Sequence, residues 1–167
     1  MLNRDVFAND PDKYPLANGG VAKLSFPVPP DELDVLRGEL TTFVCDGAYA
    51  DGLERIVNKF CSAYASNSDN SGVWISGFFG SGKSHLAAML GALWANEKFS
   101  DGATPESVII QGLPQPVKTA FTELRALAAR SGGTLVVGGT MGRGSNDPAT
   151  AVAELVLRGV GLPSDPR

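Results

Sequence analysis

The residues best suited to chemistry are GFFGSGKS, 77–84. They fit the phosphate-binding pattern G-x-x-x-x-G-K-[ST], and each residue type in it answers a need of a polyphosphate ligand. Gly77, Gly80 and Gly82 let the backbone adopt conformations closed to other residues and approach the phosphates closely. Successive N–H groups across Phe78, Phe79 and Ser81 then face one concavity, an anion nest. A helix starting near Lys83 adds the positive end of its dipole. Lys83 reaches the β- and γ-phosphates as a point charge, and the Ser84 hydroxyl ligates Mg²⁺, which keeps several waters and takes few protein ligands. Phe78 and Phe79 have two roles open to them: packing on the elements around the loop, the simpler one, or stacking on a base or partner. His85 is read as facing a neighbouring strand or solvent, with a catalytic role as the less economical alternative.

The surrounding sequence must supply the strand–loop–helix context. VWIS, 73–76, is a short β-favouring run bounded by glycines. After the loop, Leu86, Met89, Leu90, Leu93 and Trp94 recur at helical spacing, predicting a helix from about Lys83 to Glu97. Before it, Leu33, Leu36, Leu40, Phe43 and Val44 share one helical face, with Asp31 placed to cap the start. Leu53, Ile56, Val57, Phe60, Cys61 and Tyr64 form a second stripe, closed by the polar run SNSDNSG, 66–72. Further on, Val117, Ala120, Phe121, Leu124, Leu127 and Ala128 mark another helix, TLVVG (134–138) reads as a buried strand, and 145–159 as a final helix. The run TPESVIIQGLP, 104–114, satisfies both helix and strand signals. VAKLSF, 21–26, is one short strand in an otherwise Pro- and Gly-punctuated arm. Helices alternating with short buried strands predict an α/β layer fold with a parallel sheet flanked by helices. The chain divides into an irregular arm (1–30), a helical segment (31–71) and a partial phosphate-loop core (72–167).

Composition narrows the classes. The 167 residues give room for one domain with a real core, and 43% apolar with 19% charged residues is ordinary for a globular protein. No apolar run approaches the roughly 20 residues of a membrane-spanning helix, and the N-terminus lacks the apolar stretch of a secretory signal, so the cytoplasm is the expected compartment. The net charge of −4 argues against a nucleic-acid-tracking surface, which needs a Lys/Arg excess. Cys45 and Cys61 stand without metal-ligand spacing and read as core thiols on helices.

Hydrolysis demands more than binding: an acid at the end of a second strand to hold the metal through water, and a group that orients the attacking water. TLVVGG ends in glycine and VII is followed by Gln111, so neither run carries that acid. The glycine-rich stretch 138–147 reads most simply as an exposed flexible loop, with a touch of Arg143 on a phosphate or a neighbouring subunit as the alternative, and Asp147 reads as a helix cap beside Pro148.

These residues resemble the N-terminal part of the large P-loop ATPases of bacterial phage-defence systems, the BREX ATPases of the BrxC and PglY type. The resemblance runs through RDVFANDP (4–11), NGGVAKLSF (18–26) and ELTTFVCDGAYADGLERIVNKFCSAY (39–64), and is strongest at GVWISGFFGSGKSHLAAMLG (72–91). It covers about the first 95 residues well and the remainder weakly. The paired phenylalanines make GVWISGFFGSGKSH more distinctive than the generic pattern. The resemblance implies an AAA-like ATPase core, ATP with Mg²⁺ as ligand, and work beside other proteins of a defence complex, with oligomerisation a property of the full-length protein. Gly77, Gly80, Gly82, Lys83 and Ser84 match the family's nucleotide loop position by position. Family members run to many hundreds of residues and carry their acidic motif beyond the length of this chain, which implies a fragment that binds nucleotide and hydrolyses it only as part of a longer protein. Two other functions fit the residues: a small P-loop kinase of a nucleotide or metabolite, weakened by the 70 or so residues preceding the loop, and a non-hydrolysing module in which nucleotide stabilises a docking surface.

Overall fold

The computed structural model describes residues 25–66, 72–140 and 147–163. Its described elements are helices: α1 (Leu33–Thr42), α2 (Gly47–Ser66), α3 (Lys83–Ala95), α4 (Gln115–Arg130) and α5 (Pro148–Gly159), with a 3-10 turn at Pro30–Glu32 leading into α1. The apolar periodicity explains four of them directly. Along α2, Leu53, Ile56, Val57 and Cys61 are buried; along α4, Val117, Ala120, Phe121, Leu124 and Ala128 are buried. These two stripes face each other and form the main helix pairing, where the Cys61 thiol lies 3.9 Å from the Ala120 carbonyl oxygen.

Helix α3 differs in kind. Its sequence KSHLAAMLGALWA is apolar on nearly every face after His85, so it has to be covered from several sides. Ala88, Met89, Ala92 and Leu93 are buried, α4 packs along it, and Trp94 meets Phe60 of α2 edge-on with ring centroids 4.7 Å apart. Phe26 covers a further side by lying on Gly91, where a Cβ would come within 2.4 Å of its ring. One continuous core joins Phe26, α1 through Leu36 and Leu40, α2, α3 and α4.

Among the described residues the expected parallel sheet is not present. The described residues are 58% helical and contain no strand, which overturns the α/β, AAA-like P-loop core with a sheet flanked by helices. The segment 73–76 is extended, as its β-favouring residues ask, but none of its backbone groups bonds to another described backbone group. In 134–138 only Gly138 pairs, through reciprocal 3.2 Å bonds with Phe26, and that single bridge is antiparallel. The physical reason is that β-propensity reports fit to a pleated, half-buried surface; a strand becomes an element only when another segment supplies the ladder. Of VAKLSF, residues 21–24 lie outside the described residues.

Smaller corrections have local causes. Asp31 does not cap α1: it sits inside the 3-10 turn, and the Glu32 amide donates to the Pro29 carbonyl instead. Val44 and Tyr64 are exposed, because α1 ends at Thr42 and the α2 stripe loses its partner in the last turn. The run 104–114 is neither helix nor strand but a series of turns. Its Thr104 and Ser107 bond reciprocally, while Ile109 and Leu113 point into the core. Asp147 does cap α5, accepting from the amides of Ala149 and Thr150 and from the Thr150 hydroxyl. Helix α5 has no fully buried residue; Leu155 lies on Gly139 and Gly159 on Val137.

Two outcomes follow from this packing. Leu53 is fully buried in the α2 stripe, so Leu53→Ala is expected to lower unfolding stability by about 2–5 kcal/mol, read from urea denaturation. The Asp147 carboxyl is held below its ordinary 3.8, first by the Thr150 hydroxyl and then by the Ala149 and Thr150 amides. A carboxyl depressed on folding stabilises the fold above its unfolded pKa and stops doing so as pH falls through the folded value. The amide resonances of Ala149 and Thr150 should therefore titrate together with a midpoint below 3.8, and should stay flat in Asp147→Asn, which keeps the cap without the charge.

Candidate phosphate-binding loop

The loop 77–82 joins the extended segment to α3, and its course is set by two left-handed glycines, Gly80 at φ +80° and Gly82 at φ +77°. Either position would strain any residue with a Cβ. The Ser81 amide closes the turn by donating to the Phe78 carbonyl at 3.2 Å. Gly82 precedes the first residue of α3 and its carbonyl accepts the Leu86 amide at 2.8 Å, opening the helical ladder. No side chain caps this end and no acidic residue lies in its first turn. The amides of Lys83, Ser84 and His85 make no hydrogen bond to any described residue. An α-helix always leaves such donors at its start, and here they remain free for an anion.

Lys83 folds back over the loop. Its ammonium donates to the Phe78 carbonyl at 2.6 Å and to the Ser81 hydroxyl at 3.3 Å. The Ser81 hydroxyl lies close over Gly77, where a Cβ would stand 2.8 Å from Oγ. Phosphate oxygens would replace the carbonyl as stronger, charged acceptors for the same ammonium. Ser84 is exposed at the head of α3. Among the described residues no three His, Cys, Asp or Glu side chains converge on a common point, so a magnesium ion here would arrive with the phosphates and take Ser84 as a protein ligand. The donor set of free amides, one lysine and one serine fits a Mg²⁺-bound polyphosphate.

The structure gathers residues 77–84 as the sequence implies, but two expectations about side chains change. Phe78 and Phe79 pack on nothing: Phe78 is 91% exposed and Phe79 fully so, with Trp74 90% exposed on the same segment. Their simpler assigned role was packing on the sheet or on the preceding helices; among the described residues no sheet forms and no helix covers them. His85 faces no strand among the described residues, and its side chain is half-buried, about a third of it open to solvent (33%). Its Nδ1 lies 3.2 Å from Glu39 Oε2, and because a carboxylate only accepts, Nδ1 carries the proton of that bond. The imidazole also meets the buried Phe43 ring edge-on, 5.6 Å between centroids.

Glu39, Phe43 and Tyr49 are the neighbours that sequence reasoning did not attach to the loop. Tyr49 reaches it from the first turn of α2, its hydroxyl 3.4 Å from the Gly82 carbonyl. The available signal for Glu39 and Tyr49 was their position off the apolar stripes, which leaves them free to point elsewhere; Phe43 lies on the first stripe and gave no such signal. Arg143 lies outside the described residues. A pocket of about 110 Å³ lined by Phe26, Leu36, Ala92, Phe99 and Pro105 sits at the far end of α3 and takes no part in the loop.

Cys45 is buried in the link between α1 and α2, not on a helix as expected, while Cys61 is buried on α2. Burial first, and then the neighbouring Asp46, pushes the Cys45 thiol up to about 11. Burial and Glu123 raise that of Cys61. Neither supplies a thiolate near neutral pH. Ellman's reagent is accordingly expected to leave both thiols unmodified in the native protein at about pH 8 and to react with both in guanidinium chloride.

No family model, curated protein or solved structure matches the chain. Among the described residues, no helix is long and apolar enough to cross a membrane.

Proposed function

We propose that this chain is a nucleotide-binding segment of a phage-defence ATPase, holding ATP with Mg²⁺ through Gly77–Ser84. The observation that carries the reading is the free amide turn of Lys83, Ser84 and His85 at the uncapped start of α3, with the Lys83 ammonium beside it on the loop. In this role the backbone amides and Lys83 hold the phosphates, and Ser84 ligates the magnesium that the nucleotide brings. The ion neutralises phosphate charge. The BREX-type resemblance at residues 72–91 supports ATP as the nucleotide, the cytoplasm as the compartment and other defence proteins as partners.

Holding and hydrolysing are separate abilities. The carboxylate of Glu39, which reaches α3's first turn, is engaged by His85. ATP turnover therefore belongs to the longer protein that the resemblance implies. A second reading is favoured by the exposed Trp74, Phe78 and Phe79: a module that binds nucleotide without cleaving it and presents these aromatics to a protein partner. Phosphate release by the longer protein but not by the segment favours the first reading; release by neither favours the second.

Ligand-induced stabilisation tests the common core of both. At ATP·Mg²⁺ about 100 times its Kd, the wild type should gain roughly 2.7 kcal/mol and melt several degrees higher, whereas Lys83→Ala should show no rise. An unchanged melting temperature in both proteins defeats the nucleotide reading.

A further inference from the structure

We infer that Tyr49 is a positioning residue for the phosphate loop, acting through Gly82. This rests on the phosphate-binding reading of 77–84 and adds a residue that lies 33 positions away in sequence, on another helix.

The contact is close and specific in shape. A Cβ built on Gly82 would lie 2.1 Å from the Tyr49 hydroxyl oxygen, so that oxygen occupies the space where any side chain at 82 would begin. The hydroxyl also donates, at a long 3.4 Å, to the Gly82 carbonyl that accepts the Leu86 amide at 2.8 Å. That carbonyl is thus held from two sides. Because the peptide unit is planar and trans, fixing the Gly82 oxygen toward α2 and α3 fixes the Lys83 N–H in the opposite direction, outward from the start of α3. That N–H is the first donor of the anion-binding turn.

The tyrosine is itself held. Its ring meets Phe43 edge-on, 6.3 Å between centroids, and Phe43 is buried. Phe43 also meets His85, tied in turn to Glu39 of α1. Residues 82 and 85 are therefore each gripped by a group anchored outside the loop, one from α2 and one from α1. A glycine at φ +77° has other backbone conformations open to it, so without such a grip the turn would spread over several orientations. The tyrosine hydroxyl removes that freedom before ligand arrives, which is how preorganisation raises affinity.

The test uses the full chain. Wild type, Tyr49→Phe and Lys83→Ala are titrated with ATP·Mg²⁺ by calorimetry, and their unligated melting temperatures and amide spectra are compared. Tyr49→Phe keeps the ring on Phe43 and removes only the hydroxyl. It is expected to weaken binding roughly 3- to 10-fold, the range of one modest hydrogen bond, at an unchanged unligated melting temperature. The Lys83 and Ser84 amide resonances should shift or broaden while those of α4 stay in place. Binding equal to wild type, with unmoved Lys83 and Ser84 amides, overturns the proposal and leaves the phosphate reading standing. A fall in melting temperature with shifts spread through α4 overturns it too, by showing a structural role only. A wild type that does not bind ATP·Mg²⁺, and is indistinguishable from Lys83→Ala, removes the phosphate reading and this proposal with it.

Discussion

The fold depends on covering α3. A helix reading KSHLAAMLGALWA has almost no polar face beyond its first turn, so it is stable in water only when wrapped. The wrapping comes from α4 along one side, α2 through Phe60 on Trp94, and Phe26 seated on Gly91. The stripes of α2 and α4, facing each other, close the same core. Every candidate binding group sits at the single polar end of this buried helix. Burial of the body of α3 therefore fixes where its free amides point, and the position of the loop follows from hydrophobic packing well away from it.

That arrangement divides the work between rigid and free parts. The Gly82 end is held by Tyr49 and the Phe43–His85–Glu39 contacts, while Trp74, Phe78 and Phe79 stand in solvent just upstream. The Lys83 ammonium bridges these parts by resting on the Phe78 carbonyl.

Helices were legible wherever an apolar stripe had a period of its own. Apart from the exposed Tyr64, the α2 and α4 stripes appear at the residues their spacing marks, and Asp147 caps α5 because an aspartate before Pro148 needs only the nearby amides of Ala149 and Thr150. Strands were not legible in the same way. VWIS and TLVVG have β-favouring side chains, but a ladder needs a second segment at hydrogen-bonding distance, and the described residues give them a single bridge at Phe26 and Gly138. Phe78 and Phe79, expected to pack on the sheet or the preceding helices, find neither among the described residues and stand in solvent.

The sequence by itself determined the loop chemistry: which residues are glycine, which is the lysine, and where a helix must begin. Those properties are local, set by the φ angles that Gly80 and Gly82 alone tolerate and by the donors that any helix start exposes. Only the tertiary structure decided what holds the loop. Tyr49 and Glu39 reach it from 33 and 46 residues away, and their arrival depends on how α1 and α2 dock against α3. Docking is settled by the sum of many buried contacts across the whole core, and no short stretch of sequence carries that sum.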